Sequence, residues 1–285
     1  MNTNELWTLG GDLKISRMGF GAMRLPASER GGPQNDPATG RAVLRRAVEL
    51  GVNHIDTAAF YFSGDLTANR LIREALQPYQ DGLVIATKVG PRRKPGDPMP
   101  TGQMEPGELR AEVERNLRDL GLDRLDLVYL RVGGLGLSPD ESIGERFEVL
   151  ARLRDEGVIR HLGVSNVTAG QFQEARAIAP IAAVQNRFDM TMPQDTELLR
   201  ICERENVAYV PYFPLGGFGI PEDERIARIA ERHDATAAQV LLAGLLALSP
   251  VMMAIPGTSS LAHLEENVAA ANLELTAEDL AELKG

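Results

Sequence analysis

The stretch GVNHIDTAAFYFSG, residues 51–64, sets the reading of the whole chain. Gly51 ends a helix-spaced run that begins near Arg41, and Val52–Asp56 follows as a short apolar run of strand length closing on an acid. Working outward, the same alternation of strand-length apolar runs with helix-spaced segments recurs along the chain, the pattern of a parallel sheet. The remaining strands are expected at Arg17–Gly21, Leu83–Lys88, Leu125–Val132, Val158–Val164, Ile181–Gln185, Val207–Pro211 and Val251–Ile255, which makes eight.

The intervening segments carry helix punctuation. Ser138, Pro139 and Glu141 form a capping box ahead of the stripe Ile143, Phe147, Leu150 and Leu153, with Gly157 as the stop. Pro106 and Gly121 bracket a second helix striped by Leu109, Val113, Leu117 and Leu120. LWTLGGDLKI, residues 6–15, reads as a hairpin around Gly10 and Gly11 that closes a barrel floor. After the eighth strand come a helix from about Leu261 and a last one capped by Thr276, with Glu278 and Asp279 in its first turn.

The chain has 285 residues, enough for two average domains or for one (β/α)₈ barrel. No linker, repeat or low-complexity block divides it, so a single domain over residues 1–285 is expected. Two segments exceed simple connectors: Val89 to Glu105, with the basic cluster Arg92, Arg93 and Lys94, and the glycine-rich Phe213 to Glu222. Long loops of this kind act as lids or binding loops.

Composition limits the functions. Forty acidic against thirty basic residues give a formal net charge of -10, which opposes generic binding to nucleic acid or to an anionic membrane face. The polar start after Met1 and the lack of any apolar run near ~18 residues point to a cytoplasmic protein without a membrane span. Cys202 is the single cysteine, read as a buried inert thiol, so an internal disulfide or a cysteine metal cluster is excluded.

In such barrels the chemistry lies at the C-terminal ends of the strands. Asp56, Lys88, Arg131, Asn166 and Gln185 all fall there. A lysine beside an aspartate at a barrel mouth is either a structural ion pair or a device that tunes a neighbour's pKa. Tyr61, five positions past Asp56, is either an aromatic packing residue or a proton donor. The second role needs a Lys⁺ to lower a phenol pKa of about 10 and an acid to hold that lysine.

The strings GVNHIDTAAFY, ATKVG, GVSN, VQN, YVPYFPLGG and IPGTSSLAHLEEN, in that order, resemble the aldo-keto reductase family over nearly the whole chain. Within it the likeness is greatest to the bacterial branch that contains pyridoxal reductase. The resemblance implies a (β/α)₈ TIM barrel with an N-terminal hairpin and an extra C-terminal helix. It also implies NADPH bound in extended form without a Rossmann domain, in keeping with the lack of a GxGxxG motif opening a βαβ unit. Carried over by position, Tyr61 is the general acid, Lys88 lowers its pKa and Asp56 holds Lys88. Ser165, Asn166 and Gln185 hydrogen-bond the nicotinamide carboxamide, and Tyr212 stacks under the ring. Phe213, Pro214, Leu215, Gly216 and Gly217 meet the pyrophosphate, where glycines allow close backbone approach. Gly21, Ala22 and Met23 line the ribose side. Ile255, Pro256, Gly257, Thr258 and Ser259 lead into an amide-rich helix start suited to a phosphate, and His263, Glu266 and Asn267 meet the adenine end. Read without the resemblance, Gly257–Ser259 is equally a helix cap, and Ser165 with Asn166 equally a turn.

Two positions depart from the family pattern. Most members carry a histidine at the end of the fourth strand, where DLVYLRVGG places Arg131. An arginine offers five donors and no exchangeable proton near neutrality, so it polarises a carbonyl without acting as its acid. Arg131 takes over the orienting and oxyanion-stabilising role, binds a polar substrate group, or marks a pocket that has lost fast chemistry; the first reading is favoured because Asp56, Tyr61 and Lys88 are intact. Many relatives also place basic residues where Gly257 and His263 stand, so the 2′-phosphate is expected to meet less fixed charge here.

The leading expectation is therefore an NADPH-dependent reductase of small carbonyl substrates, pyridoxal first among them, acting as a monomer. The alternatives are a nicotinamide-sensing regulatory protein with little turnover and an unrelated barrel enzyme using Lys88 as a Schiff base. Phe60, Phe62 and Phe218 shape the substrate pocket or simply pack the lid.

Overall fold

The computed structural model describes residues 6–29, 32–97, 100–134, 136–138, 140–191, 194–217, 219–220 and 222–284. Pro139 of the expected cap, Phe218 and the polar start at residues 1–5 lie outside them. Seven parallel strands form one sheet in sequential order: β1 (Phe20–Gly21), β2 (His54–Asp56), β3 (Val84–Val89), β4 (Leu125–Arg131), β5 (Ile159–Ser165), β6 (Ala183–Gln185) and β7 (Ala208–Tyr209). The eighth expected strand, Val251–Ile255, forms no continuous ladder. It closes the barrel by single bridges, Met252 to Tyr209 and Ala254 to Met18. On one side Tyr209 N–H donates to Val251 O and Met253 N–H to Tyr209 O. On the other, Ala254 N–H donates to Arg17 O and Gly19 N–H to Ala254 O. Alternate residues serve alternate neighbours, which is how a short parallel strand joins two partners.

The hairpin pairs Leu6–Leu9 with Leu13–Ser16. Its Leu9, Leu13 and Ile15 pack with Val84, Ala86, Leu127 and Tyr129 inside the barrel, forming the expected floor. His161, on the fifth strand, faces this end, where its Nε2 lies 2.6 Å from Asp12.

Ten helices surround the sheet: α1 (Pro37–Glu49), α2 (Ala68–Leu76), α3 (Pro106–Leu120), α4 (Gly144–Asp155), α5 (Ala169–Ile178), α6 (Thr196–Glu205), α7 (Glu224–Arg232), α8 (Ala237–Leu248), α9 (Leu261–Ala269) and α10 (Ala277–Lys284), among the described residues. Two starts differ from expectation. α1 begins four residues before Arg41, because the Asp36 side chain accepts from Ala38 N and Thr39 N while Pro37 stands in the first turn. α4 begins at Gly144, beyond Ser138 and Glu141. Its first amides, Ile143 N at 3.1 Å and Gly144 N at 3.0 Å, donate to the Glu174 carboxylate of α5, so the cap is supplied by another helix. The stripe Ile143, Phe147, Leu150 and Leu153 is fully buried as expected, each residue worth about 1.5–3 kcal/mol in apolar burial.

α7 is a helix the sequence pattern did not announce. It docks on α10 through Arg228 to Glu282 at 2.8 Å and Arg232 to Asp279 at 2.7 Å. Cys202 is buried in α6, and burial pushes its thiol up to about 12, leaving it inert. Among the described residues no helix is long and apolar enough to cross a membrane, and no group of side chains is arranged to hold a metal ion.

Candidate active site

Strand register gathers the expected residues at one rim. Asp56 ends β2, Lys88 stands one residue before the end of β3, and Arg131, Ser165 and Gln185 end β4, β5 and β6 side by side. Lys88 Nζ lies 2.5 Å from Asp56 Oδ1 and donates to Thr57 O at 3.0 Å. The other carboxylate oxygen, Oδ2, accepts from Gln185 Nε2 at 2.7 Å. Both charged side chains are almost wholly buried, at 1% and 3% exposure. Such a pair fixes geometry, and removing one member strands the other charge at a cost of about 3–5 kcal/mol.

Tyr61 stands above this pair, its ring centre 4.9 Å from Lys88 Nζ. A tight turn holds it, with Tyr61 N–H donating to Ala58 O at 3.0 Å and Tyr61 O accepting from Ala68 N at 2.9 Å. The Phe60 ring meets its edge at 5.1 Å. Burial raises the phenol above its ordinary pKa, while Lys88 acts in the opposite direction, as does Arg131; Asp56 raises it further. Lys88 thus pulls the phenol down as the sequence implied, but the net direction is upward because desolvation outweighs that pull.

Behind the rim lies a buried polar bridge that the sequence analysis did not single out. Thr57 Oγ1 donates to Asn69 Oδ1 at 2.8 Å, Asn69 Nδ2 to Asn116 Oδ1 at 3.0 Å, and Thr87 Oγ1 to the same oxygen at 2.7 Å. It ties the residues next to Asp56 and Lys88 to α2 and α3. The available signal was Asn116 at i+3 from Val113 on the apolar face of α3, a polar residue that such a face excludes unless it is paired.

Arg131 does not point freely into the pocket. NH1 donates to Ser165 Oγ at 3.1 Å, NH2 to Gly134 O at 2.8 Å, and the guanidinium carbon lies 4.7 Å from the Tyr212 ring centre. The Tyr212 hydroxyl donates to Asn166 Oδ1 at 2.8 Å, and Asn166, with φ of 60°, turns its amide back to Val132 O and Gly136 O. Ser165 and Asn166 therefore already have partners at the rim.

These residues open onto a cavity of about 620 Å³. Asp56, Tyr61, Arg131, Gln185 and Tyr212 line its deep end, with Phe60 and Phe62 on one wall. Gly21 and Met23 line a second wall, facing Phe213, Pro214, Leu215 and Gly217. Ile255 to Ser259 continue the wall to His263, Glu266 and Asn267 at the far end. Of the expected site residues, Ala22, Lys88, Ser165, Asn166 and Gly216 stand outside the lining. Ala22 and Lys88 are buried behind it, and Gly216 closes a turn whose amide donates to Phe213 O.

Arg24 and Ser28 are among the lining residues that were not expected from the sequence. Arg24 donates to Gly217 O at 2.8 Å and to Ser28 O at 3.2 Å, spanning the first-strand loop and the glycine-rich loop. Ser28 meets Ser259, Oγ to Oγ, at 2.9 Å. Arg24 directly follows Met23, so its position at a strand end was the overlooked signal. It adds fixed positive charge to a cavity expected to hold little. Of the loop cluster, Arg93 lines the cavity, whereas Arg92, half-buried, stands outside the lining and pairs with Glu108.

A parallel barrel with a buried lysine–aspartate pair, a tyrosine above it and a long cleft at the strand ends defines a small-molecule enzyme of the barrel class. Residues 17–285 match the aldo/keto reductase family, and the chain belongs to that family of oxidoreductases acting on carbonyl compounds. It is 46% identical over 285 residues to pyridoxine 4-dehydrogenase of Escherichia coli (strain K12), covering 99% of this chain and 98% of that protein. It is 38% identical over 275 residues to an uncharacterized oxidoreductase of Schizosaccharomyces pombe, covering 96% and 87%. Among solved structures, a thermostable aldo-keto reductase in complex with the inhibitor epalrestat superposes with a TM-score of 0.82 at 28% identity, covering 100% of this chain and 99% of that one. An aldo-keto reductase from Klebsiella pneumoniae in complex with NADPH gives 0.78 at 25% identity, covering 98% and 94%.

Proposed function

We propose that the protein is an NADP(H)-dependent reductase that interconverts a small aldehyde and its alcohol, with pyridoxal the favoured substrate and Tyr61 the proton donor. The observation that carries this reading is the Gln185–Asp56–Lys88 chain of contacts beneath Tyr61 at the deep end of the cleft. The likeness to pyridoxine 4-dehydrogenase over nearly the full length of both chains favours pyridoxal. The complex of the Klebsiella pneumoniae relative favours NADP(H).

Two further features fit that cofactor. Gln185, its Nε2 donating to Asp56, lines the cavity and carries a side-chain amide oxygen, an acceptor suited to a carboxamide N–H. Gly217, with φ of 115°, brings the backbone of the glycine-rich loop to the cavity wall without a side chain at that point. Phe213, Leu215 and Gly217 would hold the pyrophosphate, Arg24 and Ser259 the phosphate region, and Glu266 with Asn267 the adenine.

NADPH supplies the hydride when bound. Tyr61 O–H gives its proton to the carbonyl oxygen as charge develops there, and Lys88 stabilises the phenolate that remains. Asp56 holds Lys88 in place, and Gln185 holds Asp56. The raised phenol pKa keeps the proton on Tyr61 at neutral pH until the carbonyl oxygen draws it. Arg131 donates to the same developing oxyanion and cannot supply the proton. The test is oxidation of NADPH with a panel of aldehydes that includes pyridoxal, for wild type and Tyr61→Phe, with cofactor affinity measured separately. Turnover should fall by about 10²–10⁴-fold in the variant with affinity retained. Tight cofactor binding without turnover on any carbonyl would transfer the reading to a nicotinamide-sensing protein.

A further inference from the structure

The peptide units around Tyr61 are held on both edges. On one, Ala68 N–H donates to Tyr61 O at 2.9 Å. On the other, a single guanidinium nitrogen, Arg93 NH1, donates to Phe60 O at 2.9 Å and to Phe62 O at 3.0 Å, the carbonyls of the two residues that flank Tyr61. The remaining geometry fixes the guanidinium itself. Its Nε donates to Asp97 O at 2.9 Å, and its carbon lies 4.2 Å from the Phe62 ring centre. Arg93 leaves the sheet five residues after Lys88, so one end of its loop is anchored on the strand that carries the lysine.

From these contacts we infer that Arg93 is a positioning residue for Tyr61, a clamp that sets the phenol over Lys88 and holds the Phe60 and Phe62 wall against the substrate. This rests on the reading of Tyr61 as proton donor. The clamp acts through backbone carbonyls, so it serves every carbonyl substrate alike. That separates it from the simplest alternative, a cation on the lid that contacts a polar substrate directly. Three of the five N–H donors of Arg93 are engaged by backbone carbonyl oxygens and its face by a ring, so the turn that carries Tyr61 accounts for its position although the residue also lines the cavity. A misplacement of about 1 Å at the reacting centre costs on the order of 10²-fold in rate, so loosening the turn that carries Tyr61 is enough to slow the chemistry.

The experiment compares Arg93→Met and Arg93→Lys with wild type on two substrates, pyridoxal and the neutral 4-nitrobenzaldehyde, with NADPH affinity measured by fluorescence titration and thermal unfolding recorded in parallel. The expected result for Arg93→Met is a fall in kcat of about 10- to 10²-fold that is the same for both aldehydes. NADPH affinity should stay within about twofold of wild type, and the solvent deuterium isotope effect on kcat should increase, since transfer from a displaced phenol becomes slower. Arg93→Lys keeps one donor nitrogen on a thinner stem and should fall between the two. A rise in KM for pyridoxal alone would make Arg93 a substrate contact and overturn the inference. Unchanged kcat in both variants would overturn it too, as would losses that track melting temperature or cofactor affinity. Tyr61→Phe, run beside them, separates the two readings: full turnover in that variant defeats the proton-donor assignment itself, whereas a dead Tyr61→Phe beside a fully active Arg93→Met defeats only the clamp.

Discussion

The guanidinium carbon of Arg131 lies 4.7 Å from the centre of the Tyr212 ring, and the same side chain donates to Ser165 Oγ. Both partners belong to the proposed nicotinamide site, as stacking platform and carboxamide contact, so the guanidinium and the nicotinamide ring compete for them. Removing the guanidinium should separate binding from catalysis. Arg131→Met is expected to bind NADPH at least as tightly as wild type while kcat falls by about 10²–10³-fold, the usual cost of losing one oxyanion donor. Titration of NADPH binding beside steady-state kinetics checks this. Affinity weakened tenfold or more would mean that Arg131 holds the cofactor rather than competing with it.

The Asp56–Lys88 pair makes a second prediction, about stability rather than rate. Asp56→Asn leaves the Lys88 charge in the barrel without its counter-ion, and Lys88→Met leaves the Asp56 carboxylate likewise. Each single change should lower the unfolding free energy by about 3–5 kcal/mol, whereas the double variant, with no charge left to strand, should lose less than the sum of the two. Urea unfolding of all four proteins measures the coupling. Additive losses would show that the two side chains are not energetically paired, despite the 2.5 Å contact.

Much of this site is legible in the amino-acid sequence. Asp56 and Lys88 close apolar runs, so their place at strand ends follows from burial of the residues before them. The barrel floor followed from two glycines between alternating apolar residues. The misreadings at the α4 cap and around the cavity share one physical cause, that the partner lies elsewhere in the chain. Ser138 and Glu141 have the local spacing of a cap, yet Glu174, from the next helix, caps α4. Arg24 and Arg93 owe their roles to the carbonyls of Gly217, Phe60 and Phe62, and a backbone acceptor leaves no mark on a sequence. The buried asparagines 69 and 116 are legible only once α2 and α3 are known to lie side by side.

His54 predicts a pH dependence. It lies in the barrel with neither ring nitrogen hydrogen-bonded, and burial pushes its pKa down to about 4, opposed by Asp56 and reinforced by Lys88. The unfolded chain takes up this proton near pH 6.5 and the folded chain does not, so the stabilisation is complete above about 6.5 and is lost progressively as the pH falls towards 4. Between pH 7.5 and 5.0 the loss should be roughly 2 kcal/mol. His54→Leu, apolar and of similar size, should flatten that interval in urea unfolding. An equally steep decline in the variant would assign the acid sensitivity to other groups.

The proposed 2′-phosphate end of the cleft gives the last prediction, and two substitutions there should act in opposite directions. A Cβ built on Gly257 would stand 2.5 Å from Gly21 O, a backbone atom that cannot swing aside. Gly257→Lys adds a cation beside the proposed phosphate region, but it forces the crossing of the first and last strand ends apart. We expect it to weaken NADPH and NADH binding together, with a lower melting temperature. His263 lies on the exposed side of α9, at the far end of the cavity lining, and its side chain can be lengthened without touching that crossing. His263→Arg should therefore strengthen NADPH binding alone, by about 3- to 10-fold, since a guanidinium pairs with phosphate through two donors at once. Dissociation constants for both dinucleotides on both variants decide the matter. Improved NADPH selectivity in Gly257→Lys would show that the strand ends yield at Gly21, and an unchanged ratio in His263→Arg would place the 2′-phosphate nearer Arg24 and Ser28.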